Sequence, residues 1–499
     1  MSSPAKTGLS RVFLIEGRAR PDHDPTYKNT MRMGSLSQAL GDIEKIEVPD
    51  PNQYGAYIEI GQVRGANERV ETSLEGRYFL DLLSDMLRLA QNNCPMDVQL
   101  HMGSCQDPTN FDDFDKALIL EDAVITNFST EDLGSLASGD EAPVNETVDL
   151  SARKVYEVMQ LSFTRRADDD ITNEIVDVVI CGNKSCGDCD DENSGCDKIY
   201  AVTLAAGGSP GTPPDVVFSI DKGVTWYAHD IDTLTSVQDP SGVGCIGTYL
   251  VVISNGAGSL SYALLSEFDG TSDPAFTEVT TGFVAGGEPN DISVVGTTAF
   301  IVGDGGYVYK TTDPTGGVSV SDAGVAVTDN LLAVDALSTT FAVAVGQNGA
   351  IVKTEDGAIW AEVTPRIVGA GIHLNTVSVK SEKEWLIGTS GGDLYHTTDG
   401  GVTFTLKTFS GSGTGSVEAV LHVTDSVVFM SHQTAGTAGR LFRSYNGGNS
   451  WILLPEGSAN LPANDSLNAL AGCSEDPNFI VAGGLADDAS DGILLTGSV

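Results

Sequence analysis

One short segment, Ser219-Ile-Asp-Lys-Gly-Val-Thr-Trp226, decides the fold because it returns several times along the chain. Two full copies follow it, Thr397-Thr-Asp-Gly-Gly-Val-Thr-Phe404 and Ser444-Tyr-Asn-Gly-Gly-Asn-Ser-Trp451. A copy one residue shorter is Thr354-Glu-Asp-Gly-Ala-Ile-Trp360, and a decayed one surrounds Asp313. Successive anchors at 313, 356, 399 and 446 are about 43 to 47 residues apart. That period is typical of a four-stranded β-propeller blade.

The repeated segment has the residue types of a hairpin turn. An Asp or Asn side chain accepts hydrogen bonds from turn N–H groups, Gly supplies a positive φ, and Trp or Phe returns to the core. Because turn chemistry accounts for every recurring letter, we interpret the repeat as structural rather than catalytic. The residues assigned this structural role are Asp221, Gly223, Trp226, Asp356, Trp360, Asp399, Gly401, Phe404, Asn446, Gly448 and Trp451.

The pattern Ser/Thr-x-Asp-x-Gly-x-Thr-Trp resembles the Asp-box (BNR-like) repeat of sialidase-like and photosystem-assembly β-propellers. The resemblance covers residues 173–499 and implies a propeller of about seven blades, with the Asp boxes at the blade periphery. Outer turns are expected near residues 221, 269, 313, 356, 399 and 446. The last unit stops before its fourth strand. An upstream strand within Lys154 to Arg165 is therefore expected to complete it and close the ring, since an open sheet edge promotes aggregation.

The predicted propeller has no convincing catalytic set. Sialidases hold a substrate carboxylate with three arginines on several blades, whereas this region has only Arg366, Arg440 and Arg443, the last two on one strand. No spacing selects a carboxylate pair for glycoside hydrolysis. We therefore expect no catalytic residues, no cofactor and no enzymatic activity. The alternative is an Asp-box propeller that binds glycans or hydrolyses glycosides.

Four cysteines are grouped in the Gly- and Asp-rich segment before a predicted strand at 198–204. They are Cys181, Cys186, Cys189 and Cys196. Disulfides that staple this polar loop are the favoured interpretation, and a zinc site formed by the four thiolates is the alternative. Four cysteines allow three pairings, so the sequence leaves the connectivity open. Cys245 and Cys473 are at equivalent ends of first strands, and both are predicted to be buried thiols.

Residues 1–172 lack the repeat and are predicted to form a separate domain. Apolar residues with helical spacing predict a helix at 74–92. Alternating patterns predict strands at 57–63, 98–102, 117–128 and 155–164, with one face of the sheet solvated. Long polar connections at 21–30, 42–55 and 130–147 separate these elements. The pattern predicts a β-sandwich or barrel flanked by one helix.

This first domain resembles the tail tube (major tail) proteins of long-tailed bacteriophages. The residues that carry the resemblance are Glu47 to Gly65, the predicted helix from Gly76 to Leu89, and Lys116 to Asp132 followed by Gly139 to Pro143. In that family six copies form a ring, rings stack into a hollow tube, and long loops bridge the rings. Members often carry an extra carboxy-terminal domain outside the tube. The resemblance implies that the arms at 42–55 and 130–147 take part in assembly.

The chain is strongly acidic, with 69 Asp plus Glu against 27 Lys plus Arg and a formal net charge of -42. This charge repels phosphate and anionic lipid, so nucleic-acid and membrane-surface binding are not expected. No apolar run approaches the length of a membrane-spanning helix, and the first residues lack the apolar core of a signal peptide. In a tube, lumenal carboxylates would let DNA slide without phosphate contacts. The alternative is that the charge serves solubility alone.

Together these observations predict a virion structural protein. Residues 1–172 are expected to polymerise as stacked hexameric rings, to contact other tail proteins, and to conduct genomic DNA through the lumen without specific binding. The propeller is expected to decorate the tube exterior, where contact with a host-surface glycan is one option. Assembly would take place in the host cytoplasm and the mature location would be the virion tail. A capsid-decoration or assembly-factor propeller is a further interpretation.

Overall fold

The computed structural model describes the chain as two compact units, Met1–Gln160 and Leu161–Val499. In the first unit only strands are described, and in the second the blades are described nearly completely. The described ranges are 9–16, 26–39, 44–49, 57–63, 70–78, 96–103, 116–131, 145–152, 154–159, 161–166, 173–181, 196–204, 214–231, 233–234, 238–255, 258–271, 273–409, 411–434, 439–454, 465–485 and 492–498.

The first unit contains nine described strands, and all of their pairings are antiparallel. The strands are β1 (Leu9–Glu16), β2 (Thr26–Ala39), β3 (Glu44–Pro49), β4 (Tyr57–Val63), β5 (Val70–Tyr78), β6 (Met96–Gly103), β7 (Lys116–Glu131), β8 (Asn145–Ala152) and β9 (Lys154–Met159). Seven of them form a sheet in the order β6-β1-β2-β5-β8-β7-β9. Because β6 also pairs with β7, the hydrogen-bonded order of six strands is circular.

Two strands of the first unit stand apart from this sheet. Among the described strands, β3 and β4 pair only with each other, as a two-stranded ribbon. The larger sheet has buried apolar side chains where β6, β7, β8 and β9 meet. These include Val98, Ile119, Leu120, Leu150 and Val158.

Most predicted strands of the first unit are present. The predicted strand at 57–63 is confirmed as β4, and those at 98–102 and 117–128 lie within the longer β6 and β7. The predicted helix at 74–92 is wrong over its first turn, because 74–78 belong to β5, and 79–92 lie outside the described residues. Pairing of β5 with β2 on one side and β8 on the other overrides the local helical spacing. The predicted connection at 42–55 contains β3, since β4 supplies a pairing partner.

The second unit consists of four-stranded antiparallel sheets, which we call blades 1 to 7. Blade 1 has β11 (Ile175–Cys181), β12 (Lys198–Thr203), β13 (Asp215–Ser219) and β14 (Tyr227–Asp230); blade 2 has β15 (Pro240–Ile246), β16 (Tyr249–Ser254), β17 (Ser259–Leu264) and β18 (Thr277–Val279); blade 3 has β19 (Pro289–Val295), β20 (Thr298–Gly303), β21 (Tyr307–Thr311) and β22 (Ser319–Ala323). Blade 4 has β23 (Leu331–Ala336), β24 (Ala342–Gly346), β25 (Ile351–Thr354) and β26 (Trp360–Glu362); blade 5 has β27 (Leu374–Val379), β28 (Trp385–Thr389), β29 (Leu394–Thr397) and β30 (Thr405–Lys407). Blade 6 has β31 (Ser416–His422), β32 (Val428–Gln433), β33 (Arg440–Ser444) and β34 (Ile452–Leu453), and blade 7 has β35 (Ser466–Cys473), β36 (Asp476–Leu485), β37 (Gly492–Ser498) and β10 (Ser162–Arg166).

The seven blades form a closed β-propeller. The first strand of each blade contacts the first strand of the next, from β11 through β15, β19, β23, β27 and β31 to β35, and β35 contacts β11. These first strands are therefore the innermost ones. Apolar side chains fill the space between neighbouring blades, for example Trp385 and Phe341 between blades 4 and 5. The prediction of about seven blades for the carboxy-terminal region is confirmed.

The ring closes with a strand from upstream of blade 1. Strand β10 pairs antiparallel with β37, from Ser162 opposite Ser498 to Arg166 opposite Leu494. This pairing confirms the prediction that an upstream strand completes the last blade. The predicted strand at 155–164 is thus two strands, since β9 belongs to the first unit and β10 to blade 7. For the same reason the two units divide before Leu161 rather than at the predicted boundary after residue 172.

Helical structure is scarce in the described part of the chain. Its helices are short 3-10 turns at Leu265–Glu267, Asp304–Gly306, Pro314–Gly316 and Gln347–Gly349. Within these same described ranges, no helix has the length and apolar character needed to cross a membrane.

Candidate functional site

The Asp box of blade 1 is a turn held by its own polar side chains. The Asp221 carboxylate accepts hydrogen bonds from the Thr225 N–H at 2.7 Å and from the Ser219 hydroxyl at 2.8 Å. The Ser219 hydroxyl oxygen also accepts from the N–H of Gly223, whose φ is 82°. Trp226 is buried and donates its indole N–H to the Gly223 carbonyl at 3.0 Å. The turn therefore has the predicted structure.

The same geometry recurs at the later Asp boxes. Asp356 accepts from the N–H groups of Ala358 and Ile359, and Asp399 accepts from the Thr403 N–H at 2.8 Å. In blade 6 the carbonyl oxygen of Asn446 replaces the carboxylate. Glycines at the predicted positions have positive φ, and the aromatic residues return inward. Gly401 and Gly448 have φ of 89° and 85°, Trp360 is buried, and Phe404 and Trp451 are half-buried.

Hydrogen bonding keeps the Asp-box carboxyls ionised. The N–H groups of Ile359 and Ala358 lower the pKa of Asp356 from its ordinary value. For Asp399, slight burial raises the pKa, but hydrogen bonds from Thr403 outweigh it and the net shift is downward. A general acid needs a raised pKa instead. These carboxyls are therefore suited to stabilise a turn rather than to transfer a proton.

A cation precedes the Asp box in several blades, a feature that the sequence interpretation missed. Lys310 donates to the carbonyl of Gly357 at 2.9 Å, and Lys353 donates to the carbonyl of Gly400 at 3.4 Å. Each ammonium group thus bonds the Asp-box turn of the next blade. Lys310 also lies 4.9 Å from the ring centroid of Phe300, a distance typical of cation–π attraction. A basic residue directly before the Thr of the box is the sequence signal for these contacts.

The innermost strands share a second regular feature, a β-bulge near the start of every one. The bulges fall between Ile175 and Asp177, Pro240 and Gly242, Pro289 and Asp291, Leu331 and Ala333, Leu374 and Thr376, Val417 and Ala419, and Leu467 and Ala469. A bulge re-aims the side chains that follow it. In blades 1, 3 and 5 the side chain directly after the bulge reaches the next blade.

Side chains after the bulges connect consecutive inner strands in two layers, which we call the inner-strand ladder. In the first layer, the residue directly after the bulge in blades 1, 3 and 5 accepts from a backbone N–H of the next blade. These contacts are Asp177 with Val243, Asp291 with Val334, and Thr376 with Val420, at 2.9, 2.7 and 3.1 Å. The second layer lies two residues further on. Its contacts are Ser293 with Ala336, Asp335 with Val379, and Ser378 with His422, at 3.0, 2.7 and 3.0 Å.

The ladder supplies hydrogen-bond acceptors for backbone N–H groups that have no partner within their own sheet. An innermost strand has a partner strand on one side only, so alternate N–H groups face away from its blade. Side chains of the preceding blade accept hydrogen bonds from them. The carboxylates of Asp177 and Asp291 each accept one bond from the next blade and a second, at 2.8 Å, from the N–H of the following residue in their own strand. Their oxygens are thereby occupied by structural contacts.

The ladder carboxyls have raised pKa values. Burial raises the pKa of Asp177 to about 6, although two backbone N–H groups oppose the shift. Burial also raises the pKa of Asp291 well above its ordinary value, and repulsion from Asp177 adds to this.

A buried ionic network lies between blades 5 and 6. Glu384 is 3.0 Å from the Lys380 ammonium and 3.3 Å from Nε2 of His396. Burial raises the pKa of Glu384, but His396 and Lys380 more than reverse this, so the pKa lies far below its usual range. The Ser378 hydroxyl lies 2.9 Å from Nδ1 of His422, and burial lowers the pKa of His422 to about 3. The network joins two blades and has no signal in the sequence.

Disulfides are present, as favoured, but Cys181 and Cys196 do not pair within the four-cysteine loop, and the prediction of buried thiols at Cys245 and Cys473 is wrong. Cys181 pairs with Cys245, and Cys196 pairs with Cys473, with Cα–Cα distances of 5.9 and 5.8 Å. The Cys181–Cys245 disulfide joins blade 1 to blade 2, and the Cys196–Cys473 disulfide joins blade 1 to blade 7. Cys181 and Cys196 lie where blade 1 packs against these two neighbours. Cys245 and Cys473 are therefore not free thiols.

The alternative of a four-cysteine zinc site is excluded as well. Two of its four proposed ligands, Cys181 and Cys196, are oxidised to partners outside the group. Cys186 and Cys189 lie outside the described residues. Within the described part of the chain, no group of three or more His, Cys, Asp or Glu side chains has the arrangement of a metal site.

The arginines considered for a sialidase triad have separate structural roles. Arg366 makes ion pairs with Asp329 at 2.7 Å and Glu362 at 2.8 Å. Arg443 is fully buried, donates to the Pro477 carbonyl at 2.8 Å, and stacks near Tyr445. Arg440 lies in the same strand as Arg443, β33. The structure therefore does not bring them together as a carboxylate-binding triad.

No family model and no curated protein matches the chain. Among solved structures, "YCF48 bound to D1 peptide" is 16% identical, covers 68% of this chain and 97% of that chain, and has a TM-score of 0.49. YCF48 from Cyanidioschyzon merolae is 15% identical over 68% of this chain and 99% of that chain, with a TM-score of 0.49.

A further similar structure is the WD40 β-propeller domain of Doa1. It is 12% identical, covers 68% of this chain and 96% of that chain, and has a TM-score of 0.47. None of these likenesses carries a functional argument. The propeller assignment rests on the strand order and on the closed contacts of the innermost strands.

Proposed function

We propose that the protein is a structural component of a phage tail. The first unit would polymerise as stacked hexameric rings that form the tail tube, and the propeller would be displayed on the tube exterior. The observation that carries this proposal is the β3–β4 ribbon, whose first strand lies within the arm at 42–55 that is expected to bridge copies. A two-stranded ribbon is marginally stable by itself in water. Within the described part of the first unit its outer edges have no strand partner, which favours pairing with a further chain.

The occupant proposed for the ribbon is a second copy of the first unit. Acidic residues outnumber basic ones in residues 1–160, so a lumen built from this unit would repel the phosphates of passing DNA. The larger share of the excess negative charge lies in residues 161–499. There it would keep the propellers of neighbouring copies apart and soluble.

The contacts in the propeller support a role without catalysis. The ladder carboxylates hold the backbone of the next blade, the Asp-box carboxylates hold turns, and Arg443 is enclosed by protein. Each of these groups, which a hydrolase would need free, has a structural partner. The propeller is therefore proposed as a display module, with the glycan-binding or hydrolytic propeller as the rival function.

Sedimentation velocity of the full chain over a concentration series tests the proposal. Lys45 lies in β3 opposite Gln62 of β4, and Lys45→Pro removes one backbone N–H from the ribbon. Lys45→Ala is the matched control, because it changes the side chain and keeps the N–H. We expect hexamers and larger assemblies for the wild type and Lys45→Ala, and monomers for Lys45→Pro. A monomeric wild type, or undiminished assembly of Lys45→Pro, would contradict the proposal.

A further inference from the structure

One junction between blades differs from the other six in how the chain builds it. Blade 7 combines β10 with β35, β36 and β37, whereas every other blade is one continuous stretch of chain. Blades 1 to 7 follow one another along the sequence, so six junctions have a short connecting segment. The chain also runs directly from β10 of blade 7 to β11 of blade 1, but β10 is held to β37 by strand pairing alone. The contact of β35 with β11, which we call the seam, therefore has no short covalent connection to blade 1 through β35, β36 or β37.

Non-covalent contacts at the seam include both polar and apolar groups. Asn468 donates to the Glu174 carboxylate, and Lys222 pairs with Asp476 at 2.6 Å. The Lys222 and Asp476 side chains are 37% and 39% exposed, and exposed ion pairs contribute little stability. A cluster of buried side chains from both blades supplies the apolar part, with Ile175 and Phe479 among them.

The Cys196–Cys473 disulfide crosses this seam. It joins residues 277 positions apart, and Cys473 is fully buried while Cys196 is 8% exposed. Both cysteines belong to the same buried cluster as Ile175 and Phe479. The bond therefore lies inside the packed junction rather than on its surface.

The second disulfide provides a natural comparison. Cys181 and Cys245 are 64 positions apart and join blade 1 to blade 2. These two blades follow one another directly in the sequence, so the chain already keeps them close. Cys245 is half-buried, which leaves this bond nearer to solvent than the seam bond.

We propose that the Cys196–Cys473 disulfide is a redox-controlled lock on the seam of the propeller. Once two blades separate, the entropy cost of bringing them back grows with the length of chain between them. At six junctions that length is short. At the seam, once β10 has separated from β37, the chain between β11 and β35 is nearly the whole propeller. Pairing of β10 with β37 and the buried cluster close the ring, and the disulfide then supplies the missing covalent link.

The oxidation uses a small-molecule disulfide as the electron acceptor. The thiolate of one cysteine attacks it, breaks its S–S bond and releases one thiolate. The second protein thiolate then attacks the mixed disulfide, forms the Cys196–Cys473 bond and releases the other thiolate. Two electrons pass from the protein sulfurs to the small disulfide. The two protons lost by the cysteine thiols protonate the two released thiolates. The reverse exchange with a small thiol unlocks the seam, which requires the junction to open because both sulfurs are buried.

This inference does not depend on tube assembly, and hydrogen–deuterium exchange of the full-length chain tests it. The seam variant is Cys196→Ser with Cys473→Ser, and the matched control is Cys181→Ser with Cys245→Ser. In the seam variant, we expect amide exchange in β10 and β37 to accelerate by about tenfold or more relative to wild type, through local opening. In the control, exchange in these strands should stay close to that of wild type. Equal exchange in both variants, whether unchanged or accelerated alike, would overturn the proposal.

Wild-type protein under reduction gives a second measurement that does not depend on folding of the seam variant. After treatment with a small thiol, alkylation followed by mass spectrometry reports which bond has opened. We expect Cys245 to be alkylated before Cys473, and β37 to exchange faster only after Cys473 is modified. Alkylation of Cys473 at the rate of Cys245, or unchanged exchange in β37 after its modification, would contradict the lock.

Discussion

The polar side chains of the Asp boxes lie at exposed turns, where they accept hydrogen bonds that hold the turn. The Asp399 carboxylate accepts hydrogen bonds from the hydroxyl of Thr397 and from both the N–H and the hydroxyl of Thr403. At the same place in blade 6, the amide oxygen of Asn446 accepts from the Ser450 N–H at 2.9 Å. An uncharged oxygen therefore holds the turn as well. The turn needs the acceptor and not the negative charge.

This comparison predicts different outcomes for two substitutions at one position. Asp399→Asn keeps an acceptor and should change the free energy of unfolding by less than about 0.5 kcal/mol, whereas Asp399→Ala should lower it by about 1 kcal/mol. Chemical denaturation of the full chain at neutral pH measures both. An equal loss in the two variants would mean that charge, and not hydrogen bonding, holds the turn.

Lys310 predicts a second effect at the scale of one side chain. Lys310→Met keeps the aliphatic stem but removes the hydrogen bond to the Gly357 carbonyl and the attraction to the Phe300 ring. We expect the free energy of unfolding to fall by about 1 to 2 kcal/mol, since hydrogen bonds from charged groups are among the stronger ones. Lys383 is exposed, so Lys383→Met is the control, with an expected change within about 0.5 kcal/mol. Similar losses in both variants would contradict an inter-blade role for Lys310.

At four junctions between blades, side chains of one innermost strand accept hydrogen bonds from the backbone of the next. The bulge near the start of every inner strand places Asp177, Asp291 and Thr376 at equivalent positions, and each accepts from the next blade. Serine, threonine and aspartate are interchangeable there because each offers an oxygen acceptor. This tolerance explains why the ladder has no single-letter signature in the sequence.

The raised pKa of Asp177 predicts a pH dependence of stability. Its folded pKa of about 6 exceeds its unfolded value, so the folded state holds the proton more tightly. The free energy of unfolding therefore falls as pH rises from about 4 to about 6. Asp177→Asn has no such titration. The melting temperature of the variant minus that of wild type should increase from about pH 4.5 to about pH 7.

The control for this titration is Asp399→Asn, because the pKa of Asp399 is lowered rather than raised. Its contribution to stability is present at neutral pH and is lost only as pH falls below the ordinary range of a carboxyl. The difference from wild type should therefore stay flat over the same pH interval. Thermal unfolding across the pH series measures both variants. Parallel curves for Asp177→Asn and wild type would contradict the assigned pKa.

Local turn chemistry made the blades predictable from the sequence. Features that depend on contacts between residues far apart in the sequence could not be predicted. Each Asp box sets its turn within about eight residues, so its repeats located the outer turns of the blades. The helical spacing at 74–92 misled because β5 pairs on both edges with β2 and β8. Cys473 is 277 positions from Cys196, and the residues around each cysteine do not indicate which cysteine is its partner. The ionic network at Glu384 likewise depends on packing between blades.

At the scale of the whole molecule, the chain combines two compact units with different kinds of closure. In the first, six strands have a circular hydrogen-bonded order, and the β3–β4 ribbon is left outside it. In the second, seven blades form a ring that β10 and the seam disulfide complete. Among the described strands, the β3–β4 ribbon has outer edges without a strand partner, whereas the outermost strands of the blades are short. The proposed polymerisation therefore uses the first unit.

Negative-stain electron microscopy of the concentrated full-length protein tests this central claim most directly. We expect rings with a hollow centre and stacks of such rings, with the propellers visible as separate density outside the wall. We also expect that Lys45→Pro abolishes the rings while its propellers stay folded. Single particles of monomer size at every concentration, or assemblies that form through propeller contacts alone, would contradict this claim.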